Sequence, residues 1–476
     1  MIKRILSHSF LYAIGPQVPR VASIFILPLT TAYLTAEDYG TSALLMAYTG
    51  AIAALKDLGV LVLLVNYFFQ RKNTWHLLWR RLYGYIIAWS PFYLILQSLV
   101  IYAALPVSEI HNYWTIVFIY AFTNLIFDVP VLFGSRYLQL AQKPLPIAIA
   151  SASVGLITIL LNLLTIVYFK MGYMGWIVST FCASFISFLY YSYFTFYKLK
   201  LFPLFKYQLK HLSSVLKISL PTVPHFYSSY LLNTSDRALM SFYQIPLQNI
   251  GKYNLAYSFG SYFEVFSTAV GMAVGPIYAK IFSLNSDERN EFAKHLTYLL
   301  QFIFTSIGFL FAIWMKEIFN LLISNTELKY SYTISVIIIM AYINKPFYWS
   351  SINLLIFKKA TSKLWRITFV GSIISVLLNL FMIPFLGIIG SVISSFVSIL
   401  FINFYGGFLK EVSKHGRASH NDKYWIIFTI LMTFLAILVV EFDYIYKILI
   451  SFFVIFVKAI LIRRELKLIS QYNFKI

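Results

Sequence analysis

Eight charged side chains lie inside long apolar stretches of this 476-residue chain: Arg20, Lys56, Asp57, Asp128, Asp236, Arg237, Glu264 and Lys345. A guanidinium offers a planar fork of donors that fits a phosphate, and an ammonium supplies a point charge. Arg20, Lys56, Arg237 and Lys345 are therefore candidate ligands for a bulky anion that carries phosphate. Asp57, Asp236 and Glu264 are candidates for ion coupling, because burial raises a carboxyl's affinity for a proton. Each charge also has a plainer role, a clasp to a partner on a neighbouring helix, and Asp128 reads best that way. The neighbours in Lys56-Asp57 and Asp236-Arg237 point about 100° apart on a helix, so neither pair is expected to close on itself. His225, beside Pro224, reads as a hydrogen-bonded core histidine rather than a proton relay.

These charges are costly where they stand. Residues of 60% hydrophobic and only 12% charged type leave the range of soluble chains, which average about 25% charged. Apolar runs of about 20 residues recur, the length that crosses a bilayer as a helix. Spans are expected at roughly 9–34, 40–66, 82–105, 113–134, 146–168, 173–197, 215–243, 249–279, 295–315, 331–357, 366–385, 388–409, 424–440 and 444–462. The fold class is thus an all-α integral membrane protein of about fourteen transmembrane helices. At mid-bilayer a charge costs about 2.5–3.5 kcal/mol on insertion scales, so it must face a cavity or a partner.

Lys and Arg crowd alternate loops. One set of loops holds 28 of the 38, the other holds Lys170, Lys316, Lys329 and Lys447, and the remaining 6 lie within spans. Positive charge marks the cytoplasmic side, so both termini are expected there, in a bacterial inner membrane. The net charge of +21 is then topology and attraction to anionic lipid, with no need for nucleic acid. Cys182 stands alone, so neither a disulfide framework nor a Cys metal site is expected. No phosphate-binding Gly-rich motif is present, and the loops are too short for a catalytic module. No cofactor is expected, and any work must be done inside the bundle.

The chain repeats itself. The first span carries Pro16-Gln-Val-Pro19 and the seventh Pro221-Thr-Val-Pro224. The fifth carries Leu160 to Leu164, LLNLL, followed by Gly172-x-x-Gly175; the eleventh carries LLNLF followed by Gly387-x-x-Gly390. Two homologous halves of six spans follow, both entering from the same face, as in parallel-repeat transporters. The expected domains are 1–197, a linker at 198–214, 215–409, and an extra helix pair with a basic tail at 410–476. The four prolines are candidate hinges, since proline removes a helix hydrogen bond. The glycines read as tight-turn residues.

The stretch SLPTVPHFYSSYLLNTSDRALMSFY, with Gly251-Lys-Tyr253 beyond it, resembles the polysaccharide flippases of the Wzx type. These belong to the multidrug/oligosaccharidyl-lipid/polysaccharide exporter superfamily. Leu232-Asn233, Asp236-Arg237, Tyr39-Gly40 and the doubled LLN with Gly-x-x-Gly carry the resemblance, over about residues 10–410. It implies two six-helix lobes in a V around a central cavity that opens to each side in turn. It implies a cargo of undecaprenyl-diphosphate-linked oligosaccharide, such as an O-antigen or capsule unit, moved to the periplasmic leaflet. It implies that Arg20, Lys56 and Arg237 hold the diphosphate while the lipid tail stays among the membrane lipids. Tyr227, Tyr230 and Tyr262 are candidate sugar platforms. A polymerase and a chain-length regulator are the protein partners such a flippase works beside. The spans beyond twelve also fit the lipid II flippase branch. The alternatives are a cation-coupled drug exporter, which would favour an acidic cavity and is opposed by the excess of Arg and Lys, and a membrane polymerase, which would carry a large periplasmic loop where the expected ones are short and almost uncharged.

Overall fold

The computed structural model describes residues 17–71, 73–205, 213, 215–217, 219–220, 223–283, 288–360, 363–409, 412 and 421–471. Of Leu61, 224–226, 288 and 289 it describes the backbone only. Every described element is helical, and ten helices are long and apolar enough to cross a membrane. Pro16 and Pro221 lie outside the described residues.

The helices are α1 (Gln17–Thr31), α2 (Ala36–Ala53), α3 (Leu61–Gln70), α4 (Trp75–Ala104), α5 (Val107–Leu140), α6 (Pro144–Tyr168) and α7 (Tyr173–Lys198). They continue as α8 (Val223–Asn233), α9 (Ser235–Phe242), α10 (Leu247–Phe282), α11 (Glu288–Ile313), α12 (Met315–Leu322) and α13 (Thr326–Lys329). The last are α14 (Tyr332–Tyr342), α15 (Lys345–Phe357), α16 (Leu364–Leu386), α17 (Ile388–Phe408), α18 (Asp422–Val439) and α19 (Tyr444–Ser470).

Three expected spans are broken, and each break has a local cause. The second span stops at Ala53 and resumes at Leu61. Leu58 and Gly59 take positive φ, 51° and 72°, and Asp57 Oδ1 accepts the Gly59 N–H at 3.1 Å. A left-handed residue at a helix C-terminus is glycine's usual place. The seventh span breaks at Thr234, and Ser235-Asp236 opens a fresh first turn, where an acid meets the positive end of the helix dipole. The tenth breaks at Ile343-Asn344, just before Pro346 in the first turn of α15. Proline disfavours a helical residue before it and suits a helix start.

The chain forms two compact units. One comprises the residues up to Tyr230 with Leu322–Asn325, the other Leu231–Leu321 with Thr326–Ile476. In the first unit, Trp79, Leu82, Phe133 and Leu64 are fully buried in one apolar cluster. Leu201 and Val215 belong to that same cluster, and Leu204 N–H donates to Arg80 O at 2.9 Å. Residues flanking and within the expected linker at 198–214 are thus core material of this unit. Ser324 N–H donates to Thr31 Oγ1 at 2.9 Å, tying the 322–325 segment to the end of α1.

In the second unit, Phe347, Phe404 and Trp425 pack together, so α18 joins the core of α15 and α17. Asn344, at the break, accepts from Gln301 Nε2 at 2.8 Å and donates to Thr429 Oγ1 at 2.9 Å. It therefore links α11 and α18 at the break. The α19 helix is fastened by Lys447, wholly buried, which reaches Glu317 Oε1 at 2.6 Å. Nearby, Lys316 binds Glu441 at 2.7 Å. Hydrogen bonds from Lys316 and Tyr332 hold the Glu441 carboxyl below the usual carboxylate range. Phe452, Phe453, Ile455 and Phe456 of α19 are exposed, as side chains that face lipid must be.

The repeat is visible in backbone angles. Gly172 has φ 55° and ψ −140°, and Gly387 has φ 57° and ψ −131°. Only glycine adopts that region without strain. The second glycine of each motif serves packing: a Cβ on Gly175 would stand 2.6 Å from Ile166 Cγ1, and one on Gly390 2.7 Å from the Met382 carbonyl. Asn162 precedes Gly172 by ten positions, whereas Asn379 precedes Gly387 by eight. The excess is taken up by the π turn Leu163–Tyr168 and the short link at 169–171. Gly172→Ala and Gly387→Ala are each expected to cost about 1–3 kcal/mol, read as loss of thermal stability in detergent. Gly172→Ala should be the worse of the two, because its Cβ would also stand 2.6 Å from Asp38 Oδ1. That oxygen accepts the Tyr173 N–H, and its partner Oδ2 caps α2 through Thr35.

Candidate functional site

The breaks and the intramembrane charges coincide. Lys56 and Asp57 lie in the gap between α2 and α3; Asp236 and Arg237 open α9; Lys345 opens α15. Irregular backbone at membrane depth is tolerated only where it is buried in protein or lines a cavity. At the first two breaks a freed backbone group binds a charge: the Gly59 N–H meets Asp57 and the Asn233 carbonyl meets Arg237.

In the first unit, the Lys56 ammonium forms an ion pair with Asp128 of α5, both side chains about one third exposed. The expected role of Asp128 as a partner agrees with this geometry. Asp57 is occupied with the Gly59 N–H rather than with an opposite charge. Arg20 stands on α1, exposed, and its guanidinium has no ion-pair or hydrogen-bond partner among the described residues. Pro19, next to it, packs against Gly155 of α6.

In the second unit, Asp236 and Arg237 do close on each other, contrary to the expectation from ideal helix geometry. Arg237 Nη1 lies 2.7 Å from Asp236 Oδ1, with both side chains almost fully buried. The break at Thr234 is the reason. It frees the Asn233 carbonyl, which accepts Arg237 Nη1 at 2.6 Å and draws the guanidinium back along the chain. Asp236 Oδ1 also accepts the Arg237 N–H at 2.9 Å, and its other oxygen takes the Tyr253 hydroxyl. The Tyr253 hydroxyl in turn lies 3.2 Å from Ser395 Oγ of α17. The guanidinium sits over two rings of α10, 4.9 Å from Tyr253 and 4.4 Å from Tyr257. Arg237 is thus the centre of a knot that joins α9, α10 and α17.

Glu264 and Lys345 form a looser pair at 3.8 Å, with the ammonium over the rings of Tyr342 at 5.3 Å and Tyr348 at 5.2 Å. Of the four cations read from the sequence, three have a carboxylate partner inside their own unit and Arg20 has none among the described residues. Tyr227 and Tyr230 stand edge to face at 6.3 Å. The backbone at Pro224 is helical; its side chain and that of His225 are not described.

Sequence reading missed the residues that tie the breaks together. Asn344 announces itself only through the following Lys345-Pro346, and Tyr253 was read as part of the Gly251-Lys-Tyr253 motif but not as the partner of Asp236. Asn379, whose Oδ1 accepts from Ser391 Oγ at 2.8 Å, was visible as part of the repeat but not as a cross-helix bond.

Comparison with known proteins bears on the whole arrangement. The structure is similar to that of the lipid II flippase MurJ in an inward closed conformation, with a TM-score of 0.68 and 17% identity, covering 96% of this chain and 99% of that one. It is similar to an inward-facing multidrug resistance MATE family transporter of the MOP superfamily, with a TM-score of 0.58 and 14% identity, covering 84% and 99%. A further MATE structure, in complex with MaD3S, matches with a TM-score of 0.53 and 15% identity, covering 87% and 96%. These likenesses concern the fold. No curated protein matches the chain. The model of one family, described as polysaccharide biosynthesis protein, matches residues 5–282, more than half of the sequence, and the chain belongs to that family.

Proposed function

We propose that this protein is a flippase for diphosphate-linked oligosaccharides, moving undecaprenyl-diphosphate repeat units from the cytoplasmic to the periplasmic leaflet by alternating access. The family membership supports the polysaccharide pathway, and the fold likeness to a lipid II flippase supports a lipid-borne cargo. The observation that carries the reading is the state of the charges. Acids in the described spans neutralise Lys56, Arg237 and Lys345, while Arg20 has no ion-pair or hydrogen-bond partner among the described residues. An unpaired Arg there needs an anion, and a diphosphate fits it.

In this reading Arg20 binds the diphosphate, Lys56 and Lys345 exchange their carboxylate partners for cargo during the cycle, and Arg237 stays in its knot. A drug exporter for cations would require an unpaired carboxylate cluster, and Asp128, Asp236 and Glu264 are each matched by a base. The test is complementation. A bacterium lacking its own polysaccharide flippase, but carrying the matching sugar-assembly genes, is expected to regain surface polymer when this chain is expressed. Absence of polymer, with the protein verified in the membrane and the sugars matched, would overturn the reading.

A further inference from the structure

The first unit contains a cavity of about 430 Å³ walled by α2, α5 and α7. That volume lies in the range of small-ligand sites. Its wall is mainly apolar, with hydroxyls and aromatic rings set among Leu45, Met46, Ile119 and Ile177, and it contains no Lys or Arg.

The hydroxyls are the informative groups. A Ser or Thr in a membrane helix ordinarily bonds back to a carbonyl one turn earlier, as Thr49 does to Leu45 O at 2.6 Å and Thr158 to Val154 O at 2.8 Å. The hydroxyls of Ser42, Thr123, Thr180 and Ser184 line this cavity and have no hydrogen-bond partner among the described residues. Ser42, Thr123 and Ser184 are half-buried and Thr180 is exposed, so these hydroxyls are open to a guest, and four on one wall suit a polyhydroxylated one.

The rest of the wall agrees. Asn124, nearly buried, donates its amide to Gln97 Oε1 at 2.6 Å, which leaves its own Oδ1 as an acceptor. A π turn at Thr123–Phe127 sets Thr123 and Asn124 on the cavity wall, and such turns recur at functional sites. Trp176 is braced edge to face by Tyr39 at 4.9 Å, which steadies its ring as an apolar platform with an N–H at its edge. Asp128 is the one charged group on the wall, and Lys56 neutralises it. The wall as a whole is neutral, so it suits neither a phosphate nor an organic cation.

We propose that this cavity is a subsite for one uncharged sugar ring of the oligosaccharide headgroup, apart from the cationic diphosphate contact. The proposal rests on the flippase reading for the origin of that sugar. Ring faces would lie on Trp176, and ring hydroxyls would bond Thr123, Thr180, Ser184 and the Asn124 and Asp128 oxygens.

The test is direct binding to the purified full chain in nanodiscs, by saturation-transfer NMR titration. The probes are methyl glucoside, methyl N-acetylglucosaminide, glucuronate and inorganic pyrophosphate. At least one of the two neutral glycosides is expected to bind. Thr180→Val and Ser184→Ala are near-isosteric and should preserve the fold; each should weaken binding about fivefold, the value of one neutral hydrogen bond. Trp176→Phe should weaken it further while leaving pyrophosphate binding unchanged. No binding of either glycoside, tighter binding of glucuronate, or wild-type affinity in all three variants would overturn the subsite. Restored polymer in complementation together with no glycoside binding would sink this proposal alone. Glycoside binding without restored polymer would keep the subsite and sink the flippase reading.

Discussion

Arg237→Ala is expected to destabilise the second unit by about 3–5 kcal/mol, the usual consequence of leaving a buried carboxylate without its base. Asp236 would keep the Tyr253 hydroxyl but lose the guanidinium, in a site where its side chain is only 3% exposed. Two cation–ring contacts would vanish with it. The measurement is the unfolding midpoint of the purified protein, together with its level in the membrane. Asp236→Asn combined with Arg237→Met should recover much of the loss, because an amide still accepts from Tyr253 and no charge is left buried. A variant Arg237→Ala as stable as wild type yet unable to export polymer would show the opposite, that Arg237 serves the cargo rather than the fold.

Arg20→Ala is expected to behave the other way round. Its side chain is exposed and has no partner among the described residues, so stability should stay within about 0.5 kcal/mol of wild type, as for most substitutions outside the packed interior. Export should fall about tenfold to a hundredfold, the worth of a charge-assisted, two-pronged contact to phosphate. Arg20→Lys should restore part of it, since a point charge replaces the fork. Surface polymer in the complemented strain is the readout, with membrane level as the control. Full export by Arg20→Ala would remove Arg20 from the cargo site.

The contrast between these two arginines shows what the sequence makes legible. The helix positions follow from runs of apolar residues, because the bilayer imposes length and composition on every span. The repeat was legible because Gly172 and Gly387 must be glycine for reasons of backbone angle, and such constraints leave fixed letters. The breaks were not read, although each carried a letter of its own: Gly59, the Thr234-Ser235-Asp236 start, and Pro346. Hydropathy averages over about 20 residues and passes over a single turn. The ion pairs were less legible still. Asp128 is 72 positions from Lys56, and only folding brings them together. Asp236 and Arg237 are adjacent, yet ideal helix geometry separates them, and the break that unites them is what the reading lacked.

The pairing of interior charges has an electrical consequence. Moving one full charge through a membrane potential changes the energy by about 2.3 kcal/mol per 100 mV. Two opposite charges that travel together contribute almost nothing. Lys56 with Asp128, Arg237 with Asp236, Lys345 with Glu264 and Lys447 with Glu317 are therefore nearly silent to the field so long as each pair stays closed. Of the eight intramembrane charges, Arg20 and Asp57 lack such a counter-charge among the described residues, and so does Lys458, which lies over Phe302 and Phe428. The voltage sensitivity of the empty protein should rest on these three side chains.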